Sequence, residues 1–298
     1  MRVVELAEIR SAIDEGEILE AIEQGFRQFS AGRVSVTSVG HLTFTAPRGD
    51  CHIKSGYVQD DEVFVVKVAS AFPGNAGNNG FMAVLSARTG DVLAILHDHG
   101  YLTDLRTAVA GAIAARLIAR PQSRVLGVVG AGVQARMQAH WIARVLDIRT
   151  TLAWARKPER ARSLGFESVS LAELCARADL IVTTTPSTEP LIDGSMIRAG
   201  ARIVAVGADA PGKRELSNDL MAKARIIVDS RIQCMDHGEA AWPIRAGLVA
   251  ERELCELGEA LEARPAFAND DIVVADLTGV AVQDVQIAKA IWARLPHA

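Results

Sequence analysis

Cysteine is scarce in this 298-residue chain, and its four cysteines, Cys51, Cys175, Cys234 and Cys255, lack the close pairing of a zinc site. They read as buried or incidental thiols in a reducing compartment. Long apolar runs are missing too: none approaches the roughly 20 residues that span a bilayer, which excludes a membrane helix. An apolar signal core is absent, because residues 1–20 carry Glu5, Glu8, Asp14, Glu15, Glu17 and Glu20. The formal charge is −4 with no basic stripe, which argues against nucleic acid as the main partner. There are no internal repeats and no low-complexity segments. What remains is a chain of 49% hydrophobic and 23% charged residues, globular and long enough for two domains. A cytoplasmic location is expected.

The richest local signal is Val125–Ala135, VLGVVGAGVQA, in which an apolar strand runs into a glycine turn. Met137, Trp141 and Val145 then repeat at helical spacing, completing the strand–turn–helix context of a dinucleotide fingerprint. Gly130 permits the tight turn, Gly132 lets backbone approach a pyrophosphate, and Ala135 lets helix and strand pack closely. The helix N-terminus adds free N–H groups and the positive dipole end. Gly130, Ala131, Gly132, Val133 and Gln134 are therefore candidate cofactor contacts.

A second strand ends at Trp154-Ala155-Arg156-Lys157-Pro158. An acidic residue here would hold the ribose 2′-hydroxyl of NAD, whereas arginine accommodates a 2′-phosphate. Arg156, supported by Lys157 or Arg160, thus favours NADP(H) over NAD(H). Thr184 and Thr185 follow another strand and offer hydroxyls to the nicotinamide ribose, or form an ordinary turn.

From Arg124 onward strands alternate with helices: Val125–Val129, Thr151–Trp154, Leu180–Thr184, Ile203–Val206, Ile226–Val228 and Ile272–Ala275. This predicts a mostly parallel sheet covered by helices. Ahead of it, Ile18, Leu19, Ile22, Phe26 and Phe29 mark a helix stopped at Gly32. Short strands follow at His41–Thr45, Cys51–Val58, Val63–Ala71, Phe81–Arg88 and Val92–Leu96, the last two joined by a turn at Gly90-Asp91. An Ala- and Gly-rich helix is expected over Asp104–Ala119, packed closely or against a second subunit. The last helix, after Asp276, reads as amphipathic and is expected to return to the first domain.

Three cations stand out in the N-terminal part. Lys67 lies inside the apolar strand VFVVKVA, where an unpaired ammonium is costly. A sheet-edge lysine with its head in water is the bland alternative. With Gln59–Glu62 as the hairpin loop, however, Lys54 falls opposite Lys67, and like charges so placed destabilise a sheet. An anion between them resolves the conflict, so both are candidate substrate contacts. Arg106, in the first turn of a helix capped by Thr103 or Asp104, opposes the helix dipole. A bidentate grip on a carboxylate would explain it. His97 and His99 flank Asp98 but are read as structural, and no metal is expected.

FVVKVAS (64–70), GYLTDLRTA (100–108), GVVGAGVQA (127–135) and AVGADAPGKREL (205–216) together resemble the ornithine cyclodeaminase and mu-crystallin family, in the family's order and over nearly the whole chain. The resemblance implies an α/β chain in which a Rossmann dinucleotide-binding domain (121–277) is inserted in an α+β substrate and dimerisation domain (1–120 plus 278–298) with a mainly antiparallel sheet. It implies a homodimer acting on small imino or amino acids. By the family pattern Lys67 and Asp209 carry catalysis, Arg106 binds the substrate α-carboxylate, and Val206 and Gly207 join the cofactor contacts. Asp209 without the resemblance is simply a turn-former before Pro211-Gly212.

The chain departs from the cyclodeaminase branch: Val36–His41 has no arginine, leaving Lys54 as the replacement, and Arg156 stands where an acid is usual. HIKSGY with GYLTDLRTA looks more like the imino-acid reductase and ectoine-utilisation branch. The expected activity is NAD(P)H-dependent reduction of Δ1-pyrroline-2-carboxylate, its piperideine homologue or iminosuccinate to the L-amino acid. Ornithine cyclodeamination, with NAD+ recycled, is the alternative, and a non-catalytic ligand binder of the mu-crystallin type is a third reading.

Overall fold

The computed structural model describes residues 1–73 and 79–296. Two compact units result, one of Met1–Val109 with Val280–Ala298, the other of Ala110–Gly279. No helix among the described residues is long and apolar enough to cross a membrane.

The first unit begins with β1 (Arg2–Glu5), α1 (Leu6–Ser11) and α2 (Glu15–Ser30). Asp14 caps α2 by accepting from Gly16 N and Glu17 N at 3.0 and 3.1 Å. Gly32, with φ +72°, follows its end. Then come β2 (Val34–Val36), β3 (Gly40–Thr45), β4 (Arg48–Val58), β5 (Val63–Ala71), β6 (Asn79–Ser86), β7 (Val92–His97) and α3 (Tyr101–Ile118). Among the described residues seven strands form one sheet in the order β1-β7-β6-β5-β4-β2, with β3 on β4. Only β1 against β7 is parallel there.

Strand β6 stops two residues short of the expected Arg88, because Ser86 Oγ accepts from Arg88 N and Thr89 N and starts the turn. Helix α3 starts earlier than expected. The Asp98 carboxylate, not Thr103 or Asp104, accepts from Leu102 N at 2.7 Å, so Arg106 sits beyond the first turn.

In the second unit, β8 (Val125–Val129), α4 (Val133–Val145), β9 (Thr150–Trp154), α5 (Pro158–Ser163), β10 (Glu167–Ser168), α6 (Leu171–Arg177), β11 (Leu180–Thr183) and β12 (Arg202–Ala205) come first. α7 (Asn218–Met221), β13 (Ala224–Val228), α8 (Arg231–His237), α9 (Ala241–Arg245), β14 (Cys255–Glu256), α10 (Leu257–Ala263) and β15 (Ile272–Asp276) complete it. The eight described strands make a wholly parallel sheet ordered β10-β9-β8-β11-β12-β15-β13-β14. This is the Rossmann arrangement, with order reversing beside β8. The small residues late in α3 serve close packing: a Cβ on Gly111 would meet Gln138 Oε1 at 2.0 Å. All four cysteines are free thiols, and only Cys255 is not buried.

The last helix, α11 (Ala281–Arg294), packs on α2, β4 and β5 of the first unit. It is not amphipathic in its surroundings: Gln283, Asp284 and Gln286 are buried along with Val282, Val285 and Ile287. Glycines admit it. A Cβ on Gly56 would meet Val285 Cγ2 at 2.9 Å, and one on Gly25 would meet Gln286 Cγ at 2.7 Å.

Candidate active site

In the first unit the β4–β5 hairpin has the register expected from its short loop, and Lys54 pairs directly with Lys67. Both are buried, at 7% and 2% exposure. The anion that the two lysines demand is supplied by the chain itself. Lys67 Nζ donates to Asp284 Oδ1 at 3.0 Å and lies 2.9 Å from Oδ2. Arg106 Nε approaches Asp284 Oδ1 at 3.0 Å, an ion-pair contact off the hydrogen-bond axis, while its Nη1 donates to Gln283 Oε1 at 2.9 Å. Lys54, Lys67 and Arg106 are thus drawn around a carboxylate that sequence reasoning did not single out.

Burial, with Arg106 and Lys54 adding to it, pushes the Lys67 ammonium down to about 7 against Asp284, which favours the charge. Burial raises Asp284, but Lys67, Arg106 and Lys54 overcome it and hold the carboxylate below its usual range. Asp98, buried beneath the first turn of α3, is raised by desolvation against its backbone hydrogen bonds. His97 and His99 belong elsewhere: their rings lie 4.1 Å apart, and His97 Nδ1 is 3.1 Å from Glu5 Oε2 at the exposed sheet edge. Chemically, the cluster offers a lysine that gains or loses a proton near neutrality beside a permanent guanidinium.

In the second unit a cavity of about 810 Å³ lies at the carboxyl ends of β8, β9 and β11. Gly130, Ala131, Gly132, Arg156, Lys157, Arg160, Thr184 and Thr185 line it, together with Trp154 and the segment 186–189. Gly130 takes φ +132° and a Cβ there would meet Thr184 Oγ1 at 2.3 Å, whereas a Cβ on Gly132 meets nothing within 4 Å. Gly132 caps α4 with no side-chain hydrogen bond, so the N–H groups of the first turn stay available to a phosphate. Val133 and Gln134 form that first turn. The open cradle, the bare helix start and the volume of the cavity fit a dinucleotide. Among the described residues no carboxylate pairs with the charged ends of Arg156, Lys157 or Arg160.

Val206 and Gly207 follow β12 and do not line this cavity. Asp209 is half-exposed in the turn beyond them, where the Lys213 ammonium pairs with it.

A buried carboxylate that sequence reasoning missed stands behind the cavity wall. Glu215 Oε1 accepts from Thr185 N and Thr185 Oγ1, both at 2.7 Å, and Oε2 accepts from Gly207 N at 3.0 Å. Glu239, also buried, accepts from Glu215 N at 2.6 Å and Leu216 N at 3.1 Å. Desolvation lifts Glu215 to about 7 against its hydrogen bonds, and lifts Glu239 with help from Asp276 and Glu215. Asp284 had a readable signal: Ala281–Arg294 contains only Asp284, Lys289 and Arg294 as charges, too few for a helix facing water. Glu215 had none outside the family motif.

The profile described as the ornithine cyclodeaminase/mu-crystallin family matches residues 1–297. The iminosuccinate reductase of Paracoccus denitrificans is 33% identical over 82% of this chain and 81% of its own. An archaeal alanine dehydrogenase dimer with bound NAD superposes with a TM-score of 0.91 at 29% identity, covering 99% of this chain and 95% of that one. The Thermococcus litoralis Δ1-pyrroline-2-carboxylate reductase, in complex with NADH and L-proline, gives 0.90 at 26% identity, covering 99% and 97%.

Proposed function

The chain belongs to the ornithine cyclodeaminase/mu-crystallin family, and from that premise we propose that it is an NAD(P)H-dependent reductase of a small α-imino acid, forming the L-amino acid. The observation that carries this reading is the buried Lys67, titrating at about 7 beside Arg106 and Lys54. A carboxylate entering from substrate finds a guanidinium with a fixed fork and a second ammonium to hold it. Lys67 keeps a proton at neutral pH for the imine nitrogen, and gives it up as the nitrogen becomes an amine. A reduced nicotinamide, when bound, supplies the hydride that the imine carbon takes. The family resemblance also gives Asp209, in the second unit, a catalytic role.

The three uncompensated cations at the cavity, Arg156, Lys157 and Arg160, favour NADP(H) over NAD(H). Against ornithine stand the absence of an arginine in Val36–His41 and Arg156 where the cyclodeaminase branch carries an acid. A homodimer is supported by the apolar exposure of β3 and β4, where Leu42, Phe44 and Ile53 are 53%, 39% and 38% exposed. It is also the state of the archaeal relative.

The test is an NADPH-oxidation screen against Δ1-pyrroline-2-carboxylate, its piperideine homologue and iminosuccinate, with ornithine plus NAD+ as contrast. Turnover of an imine with stoichiometric NADPH loss is expected. Ornithine consumption without net cofactor change would replace the reading by the cyclodeaminase. No turnover with either would leave a ligand binder.

A further inference from the structure

The segment from Thr184 to Leu191 walls one side of the second unit's cavity, yet it contains no regular secondary structure. A loop without a ladder of its own holds its shape only through bonds to something fixed. Thr184 N and Oγ1 donate to Val129 O, and the other bonds that tie the segment down run to Arg214 and Glu215. Thr185 N and Oγ1 donate to the Glu215 carboxylate. At the far end, Leu191 N and Ile192 N donate to Glu215 O at 2.7 and 3.1 Å, and midway Arg214 N donates to Ser187 O at 2.8 Å. The other carboxylate oxygen takes Gly207 N, two residues before Asp209. Glu215 itself is held from behind by Glu239, which takes the N–H groups of Glu215 and Leu216. Glu239 does not line the cavity.

We infer that Glu215, backed by Glu239, is a positioning residue that locks the cavity wall at Thr185 to the Gly207–Asp209 segment, so that cofactor seating and the placing of Asp209 depend on one buried carboxylate. The inference rests on the dinucleotide reading of the cavity for its cofactor half only. In its ionised form Glu215 accepts from all three converging donors, whereas glutamine offers one acceptor oxygen and turns an N–H towards the third donor. Packing leaves no slack. A Cβ on Gly207 would meet Thr185 O at 2.2 Å and Glu215 Oε2 at 2.4 Å, so this junction closes without a spare atom's width.

Two variants approach the lock from opposite sides. Glu215→Gln removes an acceptor and leaves the volume unchanged. Gly207→Ala keeps every donor and acceptor but wedges Thr185 and Glu215 apart, and it decides the matter should Glu215→Gln fail to fold. Amide hydrogen exchange on the free protein and NADPH titration by fluorescence are measured on both. We expect exchange to rise at least fivefold over 185–192 while the α4 and α10 amides stay as in wild type. We also expect NADPH to bind at least tenfold more weakly, with the KM for imine rising less than the KM for cofactor. Exchange and NADPH affinity both within twofold of wild type in the folded variants would overturn the proposal. Looser exchange with unchanged NADPH affinity would overturn its cofactor half. Failure of the wild type itself to bind NADPH or NADH would instead strike the dinucleotide reading, and the exchange data would still decide whether Glu215 locks the wall.

Discussion

Replacing Asp284 by Asn removes the carboxylate that touches both Lys67 and Arg106 and preserves its size. Breaking one side of a buried ion pair costs about 3–5 kcal/mol, because the partner is left charged and dry. The two partners here respond differently. Lys67 already titrates at about 7, so shedding its proton at neutral pH costs under about 1 kcal/mol. Arg106 cannot deprotonate, and without Asp284 its guanidinium keeps the hydrogen bond to the neutral Gln283. The penalty therefore falls on Arg106, at the lower end of the range, about 3 kcal/mol. Loss of Asp284 also lowers the Lys67 pKa further, since Asp284 favours the ammonium by charge and by hydrogen bond. If Lys67 donates the proton to the imine, activity falls as pH rises through its pKa, and that basic limb moves to lower pH in the variant. Urea unfolding at pH 7 and a kcat–pH profile test both halves. A basic limb that stays in place, together with a stability loss under about 1 kcal/mol, would refute the assignment of Asp284 as counter-ion to a catalytic lysine.

Arg156→Asp should weaken NADPH and improve NADH, and kcat/KM for both cofactors in both proteins measures it; a wild type that already prefers NADH by tenfold, about 1.4 kcal/mol, defeats the Arg156 reading. Lys54→Met should mainly raise KM for the imino acid; unchanged KM and kcat would show that Lys54 takes no part. Lys67→Met should mainly lower kcat, and should lose stability because Asp284 loses the ammonium that hydrogen-bonds it. Stability should depend on pH in two windows. Lys67 falls from 10.5 to about 7 on folding, so the unfolded chain binds more protons between those values and stability rises with pH there. Glu215 and Asp276 rise to about 7 from 4.5 and 3.8, so the folded chain holds the extra protons and stability falls as pH climbs to 7. Urea melts from pH 5 to 9 should show a minimum near neutrality that Lys67→Met makes shallower on the alkaline side; a flat profile contradicts both shifts.

Much of this protein is local, and what is local was readable. The glycine turn between β8 and α4, the alternation of the parallel sheet and the stop at Gly32 depend on residues within one turn or one strand of each other. Even the facing of Lys54 and Lys67 needed only a short hairpin loop, because a strand's two-residue period carries the register along. Boundaries moved where a side chain intervened: Asp98 began α3 early, and Ser86 ended β6 early.

What the sequence could not decide is which distant group answers a buried charge. The conflict between the two lysines is visible in the sequence and calls for an anion, but does not say whether a ligand or the chain supplies it. The carboxylate sits 217 residues away on α11, whose scarcity of charges points to burial but not to the group it meets. Only packing on both sides of that helix, admitted by Gly25 and Gly56, turns Gln283, Asp284 and Gln286 inward. Glu215 is the same case in the second unit, a polar residue in a turn until the fold brings Thr185 and Gly207 onto its two oxygens. Periodicity records which face is apolar, whereas the pairing of buried charges is a property of contacts between elements that no local pattern contains.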